Sequence, residues 1–487
     1  MKNFLNRVFK LDENQTTVRT EVIAGLTTFF AMCYIVIVNP NQMTGFTPGL
    51  NSIWNACFIG GIIAAVVATL CMAFIANKPF ALAAGMGLNS FFFVSFILPA
   101  ILPALLPDGT VDVSLVDVAA ATKNYHAGLA IILISGVIFL ILSVTGLRKY
   151  IAKALPQSLK VAIPAGIGLF IAFIGLQNSG LVIKNIYTGV SIADFKNSDA
   201  ATVISAIVAF IGFILIVVFS KVKVKFLNKG SIILGILCST ALYYVLYLIF
   251  VGTPSGMEGM SVGQTFKDWA NVGLIGCFKG FATAFDGETI GSIFSVIMLV
   301  ITYCLVDMFD TLGTLYGTCA EANMLDENGD PQGLGNEMLC DSIGTVAGAV
   351  TGTSTITTFV ESSAGVAAGG RTGLSAFVTA ILFAVCLFIG PVVQYVPSCA
   401  TAPALIYVGV LMCKNILKVD FSDVASAATG FMTFVMMIAT YSISTGIMVG
   451  AITYTLITLL TGKYSKKDIV VTVIAVLGVL RFAFVTM

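Results

Sequence analysis

Long runs of hydrophobic residues, separated by short polar stretches, make up most of this chain. A helix needs about 20 apolar residues to cross a bilayer, and fewer when it is half a helix buried in protein. The pattern therefore predicts fourteen membrane segments. A further apolar stretch, 469–486, contains Arg481, and we expect it to lie along the membrane or enter it only partly. The fourteen segments are residues 21–41, 52–77, 79–103, 127–147, 159–180, 201–220, 229–252, 290–317, 342–353, 354–370, 372–396, 402–418, 424–442 and 445–462.

The composition agrees with this pattern. Of 487 residues, 58% are hydrophobic and 10% are charged, whereas a soluble domain carries about 25% charged residues. The net charge of +1 gives no indication of a nucleic-acid partner. The eleven cysteines form no CxxC pair, so we predict no disulfide framework. We also expect no metal site and no cofactor. The sequence therefore predicts an all-α integral membrane protein in contact with the lipid bilayer.

The distribution of basic residues predicts which side of the membrane each loop faces. With the N-terminus in the cytoplasm, 19 lysines and arginines fall on the inner side and 5 on the outer side, Arg481 not being counted. Such an excess is typical of cytoplasmic loops. We therefore predict a multi-pass protein of the cell membrane in which residues 1–20 form a cytoplasmic segment and residues 463–487 form a tail on the cytoplasmic side.

Seven segments in each half would place the second half upside down relative to the first. We therefore predict an inverted repeat of residues 21–252 and 290–462, joined by an extracellular loop at 253–289. Such repeats are typical of secondary transporters, which bind their substrates where interrupted helices meet. The third and tenth segments open with the poor helix formers NKPFALAAG and TGTSTITTF. In each of these segments we predict a short strand that leads into a half-helix.

The eighth segment carries two aspartates, Asp307 and Asp310, and no lysine or arginine occurs between Lys279 and Arg371. A carboxylate at membrane depth is costly and is by default a candidate functional group. The spacing of three residues places both side chains on one helix face, which suits a proton relay or an acceptor site for a ligand N–H group. The alternative for Asp307 is a structural bond to a neighbouring backbone, Ser or Thr group.

Glu361 and Asn89 occupy comparable places, after the predicted strands of the tenth and third segments. Glu361 would meet a substrate at the start of a half-helix, although its T-x-x-E spacing from Thr358 also fits a capping box. The Asn89 amide can donate and accept hydrogen bonds, and its alternative role is that of a satisfied packing amide.

Five stretches of the sequence form long, specific motifs: AGLTTFFAMCYIVIVNP (24–40), AAGMGLNSFF (83–92), SLKVAIPAGIGLFIAFIGLQNSG (158–180), DMFDTLGTLYG (307–317) and FVESSAGVAAGGRTGL (359–374). They resemble, in order, the AzgA-like branch of the nucleobase–cation symporters, which are adenine/guanine/hypoxanthine permeases. The resemblance covers most of the chain and leaves out the loops 104–126 and 253–289.

This resemblance implies a core domain and a gate domain, with a purine bound between segments three, eight and ten. It implies substrate binding by Asp310 in DTLG, Glu361 in VESS and Asn89 in GMGLN. Thr314 joins these residues at a place that is histidine in some uracil relatives. Coupling would then depend on the carboxylates, namely Asp307, Asp310 and Glu361. Serine at positions 362 and 363 departs from the usual pattern and leaves the exact base open.

The sequence and the resemblance together predict a secondary active transporter that imports purine nucleobases by proton symport, with sodium as the alternative cation and a homodimer as one option for its assembly. An anion carrier of the same fold is the alternative, but it would need positive charge where this chain offers Asp310 and Glu361. An intramembrane aspartyl protease would need a GxGD motif, which the sequence lacks, so we do not expect an enzyme.

Overall fold

Helices form most of the first half of the chain. The computed structural model of the protein describes residues 2–105, 111–146, 155–185, 189–196, 198–222, 224, 228, 230–252, 261–287, 290, 292–321, 324–325, 331–393 and 395–484. Up to residue 287 the elements are α1 (Lys2–Phe9), α2 (Val18–Met32), α3 (Ile35–Met43), α4 (Asn51–Cys71), β1 (Leu82–Ala84), α5 (Met86–Phe92), α6 (Leu98–Ile101), α7 (Val118–Val144), α8 (Gln157–Asn178), β2 (Val182–Asn185), β3 (Gly189–Ile192), α9 (Ala200–Lys221), α10 (Ser231–Phe250), α11 (Val262–Asp268) and α12 (Gly276–Ala284). Five-residue π-helical turns extend three of these helices, at Met72–Ala76, Phe93–Ile97 and Trp269–Gly273.

The second half is also mainly helical. Its elements are α13 (Ile293–Glu321), α14 (Leu334–Thr351), β4 (Ile356–Thr358), α15 (Ser362–Ala367), α16 (Gly373–Val385), α17 (Gly390–Val393), α18 (Ser398–Met412), α19 (Val424–Ala439), α20 (Ile443–Leu460) and α21 (Ile469–Phe484). Among the described residues, nine helices are long and apolar enough to cross a membrane. Shorter apolar helices lie at Gly373–Phe388, Val424–Ala439 and Thr445–Leu460. The chain is therefore a helical protein with several membrane-spanning helices, and the fourteen-segment repeat stays a prediction.

The helices pack as two bundles. In the first bundle, α2 packs against α15 and α16, α4 against α14 and α16, and α7 against α12 and α14. In the second bundle, α8 packs against α18 and α19, α9 against α10 and α18, and α19 against α20. Helix α13 contacts both bundles, because it packs against α7 of the first and against α8 and α20 of the second. The boundary between the bundles therefore runs along the helix that carries Asp307 and Asp310.

Two three-residue strands, β1 and β4, connect the two halves of the chain inside the first bundle. Just beyond the strands, the Gly85 amide donates to the Thr355 carbonyl at 3.0 Å and the Phe359 amide donates to the Ala81 carbonyl at 3.1 Å. Backbone polar groups at membrane depth need partners within the protein, and each strand provides them for the other. The antiparallel partners are Leu82 and Thr358, Ala83 and Thr357, and Ala84 and Ile356.

Several predicted segments differ from the observed helices in their extent. The fourth begins at Val118 and not at 127, so part of the predicted loop 104–126 is helical. The first predicted segment consists of two helices, α2 and α3, that meet at Cys33 and Tyr34. The ninth begins at Leu334 and not at 342, because its first two turns, LGNEMLCD, are too polar to continue an apolar run. Both acidic residues of those turns, Glu337 and Asp341, are nevertheless buried.

The region 253–289, which the sequence predicts as a loop, contains α11 and α12 in its described part. Helix α12 packs closely on α7, since a Cβ atom on Gly280 would lie 1.8 Å from the main-chain oxygen of His126. Both helices are too short to register as membrane segments in the hydrophobic pattern. In the tail, α21 packs against α20, and its depth in the membrane stays a prediction.

Candidate functional site

A cleft lies between the two bundles, beside α13. The second bundle contributes an apolar wall of Ile171, Val408 and Met412. The opposite side carries the acidic and hydroxyl groups. The other described residues that line the cleft are Gly85, Met86, Asp310, Thr314, Thr357, Thr358, Phe359, Val360 and Glu361.

Asp310 lies on the α13 side of the cleft, opposite the end of β4. The Thr357 hydroxyl donates to Oδ2 of Asp310 over 3.4 Å. Gly85 leaves room beside this carboxylate, because a Cβ atom there would lie 3.5 Å from Oδ2 of Asp310 and 3.3 Å from Oγ1 of Thr357. Thr314, about one turn further along α13, also lines the cleft.

Glu361 lines the cleft immediately before the first residue of α15, Ser362. The hydroxyl of Tyr34, at the junction of α2 and α3, donates to Oε1 of Glu361 over 2.6 Å. The Glu361 side chain makes no capping bond to α15. The helix starts after Glu361 and not at Thr358, so the capping box considered from the sequence is not what the structure shows. Both Tyr34 and Glu361 are buried.

Asn89 does not belong to the described lining of the cleft. Its Nδ2 donates to Oδ1 of Asn39 at 3.0 Å, and the Ser354 hydroxyl donates to its Oδ1. The Thr353 hydroxyl donates to the same Asn39 oxygen at 3.2 Å. These bonds connect α3, α5 and the residues before β4. The arrangement matches the alternative role considered from the sequence, that of a packing amide, and the part of Asn89 in substrate binding stays a prediction.

Asp307 and Asp310 have different neighbours, although the sequence places them on one face. The Thr345 hydroxyl of α14 donates to Oδ2 of Asp307 at 3.0 Å, whereas Asp310 faces β4. Asp307 is fully buried and does not belong to the described lining of the cleft. The structure therefore shows the Thr bond that was the alternative for Asp307, and its part in coupling stays a prediction.

The described lining of the cleft is acidic and contains no lysine or arginine. Asp310 lies close enough to Glu361, and to Asp341 of α14, for their charges to interact. The arginine nearest in sequence, Arg371, is held elsewhere, because its guanidinium donates to the carbonyls of Val366 at 2.9 Å and Gly370 at 2.7 Å. The cleft is therefore rich in hydrogen-bond acceptors and suits a ligand that carries donors.

Several residues of the cleft region were missed from the sequence, among them Tyr34, Thr357 and Gly85. Tyr34 lies inside an apolar run that reads as ordinary helix. Thr357 was recognised only as part of a predicted strand, and Gly85 only as a small residue. The one available signal was their presence in the motifs that carry the resemblance, or directly beside them.

The membrane-spanning helices, the paired strands and the acceptor-rich cleft between two bundles define a membrane transport protein. The family model described as Permease family (Xan_ur_permease) matches residues 19–449, and the chain belongs to this permease family.

Curated relatives align with this chain over nearly its whole length. The chain is 36% identical to the guanine/hypoxanthine permease PbuG of Bacillus subtilis (strain 168), over 99% of this chain and 100% of that protein. It is 35% identical to the adenine permease AdeP of Escherichia coli (strain K12), over 99% of this chain and 97% of that protein. The resemblance to adenine/guanine/hypoxanthine permeases is thus confirmed.

Solved structures share the fold at low sequence identity. The transmembrane domain of the cyanobacterial bicarbonate transporter BicA aligns with a TM-score of 0.58 at 14% identity, over 86% of this chain and 95% of that one. The SLC26A9 structure aligns with a TM-score of 0.57 at 12% identity, over 91% of this chain and 66% of that one. At these identities the likeness concerns the fold alone.

Proposed function

We propose that this protein imports a purine nucleobase, namely adenine, guanine or hypoxanthine, across the cell membrane by proton symport. The observation that carries the proposal is a cleft with two carboxyl groups, Asp310 and Glu361, and no basic residue in its described lining. Purine bases present several N–H donors, and each donor left unpaired in a dry site costs about 1–3 kcal/mol. The names of the relatives, adenine permease and guanine/hypoxanthine permease, support the same substrate class.

In this proposal the base lies between α13 and the end of β4. Glu361 and Asp310 accept its N–H groups, while Thr314 and Thr358 offer hydroxyls. Met412 and the rest of the second-bundle wall cover its apolar faces. Movement of one bundle against the other would then open the cleft to each side in turn, as in carriers built from a seven-plus-seven inverted repeat.

Contacts on one side of the protein support the predicted orientation. The Asn77 side chain donates to the Phe9 carbonyl at 3.0 Å and accepts from the Gly373 amide at 2.9 Å. The N-terminal helix, the turn after α4 and the start of α16 therefore lie together. The distribution of basic residues places all three in the cytoplasm. The proposal includes this orientation, with the N-terminus in the cytoplasm. A homodimer is one option for the assembly.

Coupling in the proposal uses carboxyl groups, with Asp310, Glu361 and Asp307 as its candidates. Uptake should then rise as the external pH falls and should not depend on sodium. The test is uptake of labelled base by proteoliposomes under a pH gradient or a sodium gradient, each dissipated separately. Uptake that collapses with the sodium gradient while the pH gradient persists would assign coupling to sodium.

Competition for uptake tests the substrate class directly. Free adenine, hypoxanthine or guanine should compete with labelled base, because each matches the acceptors of the cleft. AMP and sulfate should not compete, since they would face Asp310 and Glu361 with no cation in the described lining. Adenosine should fail because its ribose would have to enter a crevice between the two half-helix ends. Strong competition by AMP or sulfate would favour the alternative, an anion carrier of the same fold.

A further inference from the structure

Glu337 is a buried carboxyl group that lies outside the described lining of the cleft. It lies in the first turns of α14 and is 0% exposed. Neither of its carboxyl oxygens has a hydrogen-bond partner among the described residues. Burying an ionised carboxylate without a hydrogen-bond partner is costly, which favours the protonated form of Glu337.

A column of polar side chains connects Glu337 with the region of the cleft. Asp341 follows Glu337 by one helical turn and accepts from the Thr311 hydroxyl of α13 at 2.6 Å. One turn further, the Thr345 hydroxyl donates to Asp307 of α13. Residues 337, 341 and 345 thus share one face of α14 over about 12 Å. We name this set, with Thr311 and Asp307, the α13–α14 polar column.

Asp310 is the point at which the cleft meets this column, because it lines the cleft and directly precedes Thr311, whose hydroxyl donates to Asp341. The other end of the column is near Lys78, which lies beside Gly333 at the start of α14. The predicted orientation places Lys78 and this end of α14 in the cytoplasm. The column therefore leads from the cleft towards the cytoplasmic side.

The groups that face Glu337 allow it to change its charge. Lys78, from the turn after α4, is the cation that acts on it. Helix α13 contributes the Cys319 thiol, and α14 itself contributes Cys340 and Asp341. Helix α7 contributes a neutral hydroxyl near this end of α14, Ser143, which bonds to Ser342 at 2.8 Å. One partly exposed ammonium group can thus stabilise a transient carboxylate without locking it in an ion pair.

We propose that Glu337 is the residue that exchanges the coupled proton with the cytoplasm, through the α13–α14 polar column. The O–H bond of Glu337 breaks first, its proton goes to water beside Lys78, and the carboxylate is left near the ammonium group. The proton that leaves the Asp310 carboxyl group then passes to Asp341 and on to Glu337, which is protonated again. This inference rests on the proposed proton-coupled import of a purine base.

The test separates exchange of substrate from proton-driven accumulation. Proteoliposomes would carry the wild type, Glu337→Gln, or the control Glu13→Gln, whose carboxyl group is exposed and pairs only with Lys10 among the described residues. Exchange of labelled adenine and hypoxanthine at equal pH needs no net proton release, whereas accumulation under a pH gradient does. We expect Glu337→Gln to exchange base like the control but to lose gradient-driven accumulation and the proton signal of an internal pH dye. Glu337→Asp should restore both in part.

Three experimental outcomes would contradict either this inference or the proposed function. Gradient-driven accumulation at the wild-type level by Glu337→Gln overturns the inference. Loss of base binding by purified, folded Glu337→Gln also overturns it, because Glu337 would then support the site or the fold. A wild type that transports no purine, or that transports it without protons, contradicts the proposed function itself, independently of any Glu337 variant.

Discussion

The two strand–helix elements at the centre of the molecule, β1–α5 and β4–α15, share one local design but differ in where their polar residues point. In the first, Asn89 is directed into the protein, towards Asn39 and Ser354. In the second, Glu361 lines the cleft beside Thr357. One element therefore holds the crossing of the two halves together, while the other presents a carboxyl group and a hydroxyl group to the cleft.

The difference follows from how many hydrogen-bonding groups of each side chain already have partners in the protein. The Asn89 amide donates to one neighbour and accepts from another, so its hydrogen bonds serve the fold. Glu361 accepts from Tyr34 through one oxygen, and a carboxylate offers about four acceptor sites in all. Similar places in two related elements thus give no assurance of similar roles, and partner geometry decides between them.

Removal of the acceptors should give the largest effect. Glu361→Ala and Asp310→Ala each delete a bond from a charged group to the base, worth about 1.5–3 kcal/mol, or roughly 10- to 150-fold in affinity. Equilibrium binding of labelled purine to purified protein measures the loss, with the exposed Glu13→Ala as the matched control. Affinity near the wild-type value in either variant would take that residue out of the binding site.

Asn89→Ala should affect stability and not recognition. The change removes the acceptor of the buried Ser354 hydroxyl and one of the two donors to Oδ1 of Asn39, at a cost of about 1–3 kcal/mol in the free energy of unfolding. A lower melting temperature in detergent, with purine affinity of the folded protein closer to wild type than in Glu361→Ala, is the expected result. Lost affinity at an unchanged melting temperature would show that Asn89 acts in recognition, as Glu361 does, and would contradict the contrast between the two elements.

Tyr34→Phe should sharpen the role of Glu361 by removing the hydroxyl that orients it. One hydrogen bond contributes about 1 kcal/mol, so purine affinity should fall roughly fivefold, well short of the loss in Glu361→Ala. The double variant should bind no more weakly than Glu361→Ala alone, because Tyr34 acts through Glu361. Additive losses would show that Tyr34 contacts the base directly.

Gly85→Ala should have the smallest effect, since it adds one methyl group to the edge of the cleft. The 3.5 Å contact to Asp310 is an ordinary van der Waals distance, whereas the 3.3 Å contacts to Thr357 require that side chain to shift by a few tenths of an ångström. A cost of about 0.5 kcal/mol corresponds to roughly twofold in affinity. Binding of adenine and hypoxanthine would be compared with that of Gly263→Ala, where the added atom meets only Ser261 at 3.9 Å. No change for either base would place the ligand away from β1.

The sequence indicated the acids of the site because charge is rare at membrane depth. Asp310 and Glu361 stand out in apolar surroundings, and the structure brings both to one cleft. The same rule could not separate Asp307 from Asp310, because the bond from Thr345 comes from another helix. It also gave no sign of Tyr34, since a tyrosine in an apolar run looks like packing until its partner is known.

The start of α14 shows a second limit of the hydrophobic pattern. Its first turns contain Glu337 and Asp341, so the stretch reads as a polar connection, yet both residues are fully buried. Burial there depends on α4 and α7, which pack against α14 from distant parts of the sequence. A search for apolar runs therefore predicts too short a segment where a helix carries buried polar residues, as α14 does.

The pairing of β1 with β4 has a consequence for how the protein folds during its synthesis. The paired residues Leu82 and Thr358 are separated by more than half the length of the chain. While a ribosome is still synthesising the first half, β1 has no strand to pair with, and closing so distant a contact is slow. The translation product must therefore keep its early helices in the bilayer without a finished centre, and the two halves become one folding unit only after β4 has been made.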